Sequence, residues 1–67
     1  MDKILNHFES IFDFENTLFR ADDAADNQID GDFMDDMLNR YDDEGEHMNI
    51  SEDQVKQLLK IAESYNA

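Results

Sequence analysis

Of the 18 acidic residues in this chain, 13 fall between Asp22 and Asp53, a stretch whose only basic residue is Arg40. Thirteen acids against one arginine put about -12 of the formal net charge of -13 into under half of the sequence. A run this charged folds only if its carboxylates stay in water and its few apolar residues share one face. The flanks are ordinary by comparison. Residues 1–21 set four acids against Lys3 and Arg20, and residues 54–67 set Glu63 against Lys56 and Lys60. Composition thus divides the chain into a charged centre and two nearly balanced ends.

At 67 residues the chain forms one domain, close to the size at which a single core is barely sufficient. Leu, Ile, Val and Phe together number 16, more than a disordered acidic tail carries, so a fold is expected. The absence of Cys excludes disulfides and thiolate metal sites. Apolar residues never run beyond two in a row, which leaves no signal-peptide core and no membrane span. A soluble, cytoplasmic protein is expected. Its charge repels nucleic acid and anionic lipid and attracts cationic proteins through a long-range, salt-sensitive field. No direct contact with nucleic acid or membrane is expected.

Periodicity predicts an all-α, compact three-helix domain, with helices over about residues 2–21, 31–43 and 51–65 and no strands. In the first, Ile4, Leu5, Phe8, Ile11, Phe12, Leu18 and Phe19 recur at three- and four-residue steps, with Asp2 as cap and Phe14 and His7 on one edge. This face is wide enough to cover two neighbours or to join a homodimer. Glu15 falls within it, at a kink near Asp13, paired with Arg40 or a Lys, at the edge, or at a dimer seam; paired or edge-exposed is the reading adopted. Residues 22–31 read as a connection. Asp30 is then the expected N-cap of helix two, with Ile29 and Met34 as a hydrophobic staple. Met34, Met37, Leu38 and Tyr41 form its inner stripe, and Gly45 ends it. For helix three, Ser51 and Gln54 make a capping box, Ile50 and Val55 a staple, and Val55, Leu58, Leu59 and Ala62 the stripe, with Ile61 and Tyr65 at its margins. Helix one is expected to pack against the pair formed by the other two.

Catalytic patterns are weak. In a chain with 18 acids, paired carboxylates carry no information about acid-base chemistry. His7 and His47 have no second His or Cys at ligand spacing, and Ser10, Ser51 and Ser64 lack a nucleophile's surroundings. No enzyme activity and no cofactor or metal are expected. From Asp22 to Phe33 the chain resembles the loop of the EF-hand family, with Asp22, Asp26 and Ile29 at the first ligand, the fifth-position ligand and the loop hydrophobe. Phe33 stands where that family has its bidentate Glu, Ala24 at the third position and Asn27 at the usual Gly. A second such loop runs from Asp43 to Gln54, with Ile50 as its hydrophobe and Gly45 and His47 at oxygen positions.

The remaining signal is electrostatic. Carboxylates three and four residues apart on a helix lie roughly 5 to 6 Å from one another, comparable to successive phosphates on a nucleic-acid strand. A rigid acidic face of that kind can occupy the basic groove of a nucleic-acid-binding protein. The acids assigned to such a partner-binding surface are Asp22, Asp23, Asp26, Asp32, Asp35, Asp36, Asp42, Asp43, Glu44 and Glu46. In size, charge and simplicity the whole chain resembles the small phage-encoded nucleic-acid mimics, the anti-restriction and anti-CRISPR proteins. That resemblance implies a non-enzymatic inhibitor of a DNA- or RNA-binding protein such as a host defence nuclease complex. An acidic adaptor, an antitoxin-like or immunity-like inhibitor of a basic protein, and a degenerate EF-hand calcium binder stand as alternatives.

Overall fold

A computed structural model describes residues 2–66. Among them are three α-helices: α1 (Ile11–Ala24), α2 (Gln28–Glu44) and α3 (Glu52–Glu63). The all-α, three-helix architecture is as the periodicity predicts, but the N-terminal ten residues are not part of the first helix. Asp2–Lys3 (β1) instead pairs antiparallel with Asn49–Ile50 (β2), Asp2 opposite Ile50 and Lys3 opposite Asn49, although no strand was expected. A 3-10 turn, Ile4–Asn6, follows, closed by Asn6 Oδ1 accepting from the Lys3 N–H at 2.9 Å.

The physical reason for the shorter helix is a competing cap. Ser10 is extended, and its hydroxyl accepts from the Asp13 N–H at 3.1 Å, so α1 starts at Ile11 and Asp2 caps nothing. The same device opens the other two helices. Asn27 Oδ1 accepts from the Asp30 N–H at 2.9 Å, while Asn27 Nδ2 donates to the Asp30 carboxylate at 3.1 Å. Helix α2 therefore starts at Gln28, with Asn27 and not Asp30 as its N-cap. Ile29, expected in a staple, is 77% exposed. Ser51 and Gln54 form the expected capping box.

Helix α1 extends to Ala24, so only Ala25, Asp26 and Asn27 connect it to α2, and most of the expected connection over residues 22–31 is helical. At the far end of α2, Gly45 has φ 59°, a conformation L side chains rarely adopt, and its N–H donates to Tyr41 O. Gly45–His47 makes a further 3-10 turn, and Ser64–Asn66 another after α3, which ends at Glu63 and not at 65.

Helix α1 is the central element. It packs chiefly against α3 and to a lesser degree against α2; the pairing of helices two and three expected from the sequence is replaced by the α1–α3 contact. The core joins Phe14, Leu18 and Ala21 of α1, Met34 and Met37 of α2, and Val55, Leu58, Ile61 and Ala62 of α3. Ile4, Phe8, Met48 and Ile50 reach it from outside the helices. Phe14 is fully buried, with its ring centroid 5.2 Å from Phe8 in an edge-on contact and 5.2 Å from Tyr41 in a tilted one.

The buried stripe of α1 is thus Phe14, Thr17, Leu18 and Ala21. Phe12 and Phe19, assigned to the core from the sequence, are 71% and 59% exposed, and Leu5 and Leu59 also face water. In α3, Ile61 takes the place expected of Leu59. A single helix over residues 2–21 would make Leu5 and Phe8 equal contributors to the core. The observed fold predicts otherwise: in urea denaturation, Phe8→Ala is expected to cost about 3 to 5 kcal/mol. Leu5→Ala should cost under about 1 kcal/mol.

Candidate partner-binding surface

At 3.6 residues per turn, the buried Met34 and Met37 and the partly buried Leu38 and Tyr41 turn one side of α2 toward the core. Asp32, Asp35, Asp36, Asp42 and Asp43 then project together on the opposite side, within an arc of about 120°. All five are exposed, and between them lies the uncharged Asn39. Among the described residues, none of the five has an ion-pair partner.

Three of the five cations are engaged elsewhere. Arg40 donates from Nη2 to the carbonyl of Asn49 and lies 3.8 Å from Glu44, which removes Glu44 from the free acids. Lys3 donates from Nζ to the His47 carbonyl at 2.9 Å. Lys56 is 3.7 Å from Glu52 on α3. Two basic side chains thus tie the Gly45–Ile50 connection to α2 and to the N-terminal strand, and leave the outer face of α2 bare.

The other assigned acids are exposed but divided among elements. Asp22 and Asp23 lie in the last turn of α1, Asp26 in the short connection, and Glu46 in the 3-10 turn after α2. Asp23 projects to the outer side of α1, where it lines a shallow hollow with Asp13, Asn16, Phe19, Arg20 and Tyr65. Asp42 borders a second hollow, formed with Leu18, Phe19, Leu38, Asn39, Tyr41 and Gly45. Five of the ten assigned residues therefore share the outer side of α2, and of the others Glu44 is ion-paired and Asp22, Asp23, Asp26 and Glu46 lie on other elements.

Both α1 and α2 end in acids, with no basic residue in either last turn. The macrodipole leaves a partial negative charge at these ends, so Asp22, Asp23, Asp42, Asp43 and Glu44 oppose helix stability. Stability alone does not account for their placement.

Within the EF-hand-like stretch Asp22–Phe33, all but three residues are helical, and its hydrophobe Ile29 faces water. Ile50, the hydrophobe of the second loop, is buried and in a β-pair, but its partner is Asp2 of the N-terminal strand. No group of three or more His, Cys, Asp or Glu among the described residues is arranged to hold a metal. His7 Nε2 sits 3.0 Å from Asp2 Oδ2, and no helix among the described residues is long and apolar enough to cross a membrane. No known protein family, curated protein or solved structure matches the chain.

Glu15 is half-buried at the edge of α1, beside the Tyr41 hydroxyl, and is not paired with Arg40. Burial raises the Tyr41 pKa above its usual 10.0, and the Glu15 carboxylate, through a hydrogen bond and its charge, and the charge of Glu46 push it in the same direction. Below the unfolded pKa both states keep this proton, so pH has no effect through Tyr41. Above it the unfolded chain releases the proton first, and stability falls as pH rises through the folded pKa. In a Tyr65→Phe variant, where tyrosinate absorbance reports Tyr41 alone, the midpoint is expected above 10.0. Adding Glu15→Gln should lower it.

Proposed function

We propose that this protein is a non-enzymatic acidic inhibitor that occupies the basic groove of a DNA- or RNA-binding protein, with the outer face of α2 standing in for a phosphate backbone. The observation that carries the reading is the exposed row of Asp32, Asp35, Asp36, Asp42 and Asp43, without an ion-pair partner among the described residues. From Asp32 to Asp43 a helix rises about 16 Å, so five carboxylates fall at about one per 4 Å of axis. Successive phosphates of one DNA strand are spaced about 3.4 Å along theirs.

A groove that binds nucleic acid gains much of its affinity from counterions released as Lys and Arg meet phosphates. Carboxylates at similar linear density engage the same cations without a base to read. Asp suits the task better than Glu, because its short side chain holds the charge near the helix and loses less rotamer freedom on binding. The α2 scaffold is anchored before the partner arrives, through Met34 and Met37 in the core and Arg40 on the Asn49 carbonyl, which lowers the ordering cost of association. A host defence nuclease complex is the class of target this surface fits, and such a target places the inhibitor in the cytoplasm of the host cell.

An adaptor or immunity-like inhibitor that grips a basic protein mainly through an apolar patch is the second reading, favoured by the exposure of Phe12, Phe19 and Tyr65. The two differ in what removes the partner. Under mimicry, a protein captured from a nucleic-acid-rich bacterial lysate is released by salt and by duplex DNA or RNA. The triple variant Asp35→Asn, Asp36→Asn, Asp42→Asn should weaken that binding about tenfold or more, about 1.4 kcal/mol. It should also melt at a higher temperature, because like-charge repulsion is relieved. Unchanged affinity for the variant, with a partner indifferent to salt and nucleic acid, would sink mimicry in favour of the apolar patch.

A further inference from the structure

The outer side of α1 carries a pattern that the acidic strip does not explain. Phe12, Asn16, Phe19 and Asp23 follow one another at steps of four, three and four residues, the spacing of a helix-pair seam, and all four are exposed. Two phenylalanines 71% and 59% exposed on one helix face are out of place in a chain that has so few apolar residues for its core. Directly after each Phe stands a charge, Asp13 after Phe12 and Arg20 after Phe19, so both flank the seam on the same side. Arg20 donates to the Thr17 hydroxyl at 3.4 Å, and no carboxylate of the described residues lies within ion-pair reach of it.

We infer that this face binds a second copy of the chain, through antiparallel pairing of α1 with α1 about a two-fold axis at Asn16. This face adjoins the acidic strip on α2 at one point, where Phe19 and Asp42 border the same hollow. The spacing makes the face self-complementary. Phe12 lies four residues before Asn16 and Phe19 three after, so the axis brings Phe12 of each copy level with Phe19 of the other to within one residue's rise, about 1.5 Å. Asp13 lies three before and Arg20 four after, which leaves the same small offset between them. A two-fold perpendicular to the helices sets each flank against the same flank of the other copy, so Asp13 of each meets Arg20 of its mate, twice over. Asn16 meets its own copy at the axis, where paired amides fix register.

The like charges are arranged against this contact and set its conditions. Asp23 closes the seam at one end, Glu15 and Asp22 lie on the far flank, and each copy brings a net charge of -13. Added salt screens that repulsion while leaving the apolar contact intact, so self-association should strengthen with ionic strength. This is opposite to the salt response of a charge-driven complex with a basic protein.

Sedimentation velocity across a wide concentration range tests the inference. The expected result is a mass that doubles as concentration rises, and at lower concentration in high salt. Phe12→Ser with Phe19→Ser should remain folded by circular dichroism, because both side chains are exposed, and should stay monomeric. Arg20→Asp and Asp13→Arg each set like charges against each other across the axis and should each fail to dimerise. Mixed together they restore both ion pairs, and heterodimers should form. A wild-type chain that stays monomeric at every concentration and salt would overturn the inference. So would a dimer that survives loss of both phenylalanines, or a mixture of the two charge variants that does not pair.

Discussion

The contact on which the rest of the structure depends is the one Phe14 makes on either side. Its ring meets Phe8 from the N-terminal segment and Tyr41 from α2, both at 5.2 Å, and is itself fully buried. One residue of α1 therefore joins two other segments of the chain. Without disulfides, a chain this short relies on such aromatic contacts, because each contributes a large buried area and a preferred geometry. The burial of Phe8 also explains why the chain tolerates a break before Ser10: once its ring lies against Phe14, the first ten residues need no helix to reach the core.

Charge shapes the remainder. A protein with 5 basic and 18 acidic residues cannot pair most of its carboxylates, and two of its cations also serve the backbone. Lys3 bonds to the His47 carbonyl, and Arg40, besides its pair with Glu44, bonds to the Asn49 carbonyl, both on the connection between α2 and α3. Those contacts hold the β1–β2 ladder and the end of α2 in place. They also leave the outer face of α2 without an ion-pair partner among the described residues. The acids at the C-terminal ends of α1 and α2 add to that field at the expense of helix stability, and the Met-rich core beneath must offset the repulsion.

The helices were legible in the sequence because three- and four-residue spacing survives even where individual assignments fail. Their starts were not, except at Ser51. Ser10 with Asp13 and Asn27 with Asp30 carry the same three-residue separation as Ser51 with Gln54, and all three cap their helices in the same way. The first was obscured by Ile4 and Phe8, which continue the helical period into a segment that is not α-helical. The second was obscured by Asp30, itself a good capping residue one turn too late. The inward side of α1 was ambiguous for a related reason: apolar residues surround that helix, and no period chooses Phe14 over Phe12 when both lie on a wide stripe. The acidic strip was legible as composition, since Asp32, Asp35, Asp36, Asp42 and Asp43 needed only the Met34–Tyr41 stripe to orient them. The diversion of Asp23 to the outer side of α1 and of Glu44 to Arg40 depends on tertiary contacts that no local pattern records.

The two surfaces of this molecule respond to the same physics with opposite sign. On the outer face of α2 the acids are dense, exposed and without an ion-pair partner among the described residues, so any affinity they supply comes from opposite charge on another molecule and weakens as salt screens it. On α1 the apolar pair Phe12 and Phe19 is flanked by the one arginine without a carboxylate partner among the described residues, and what opposes contact there is the protein's own net charge. Screening removes that opposition. An alternative in which Phe12 and Phe19 serve only as misplaced core residues does not account for Arg20, which stands beside them without a carboxylate in a chain that has an excess of carboxylates to offer.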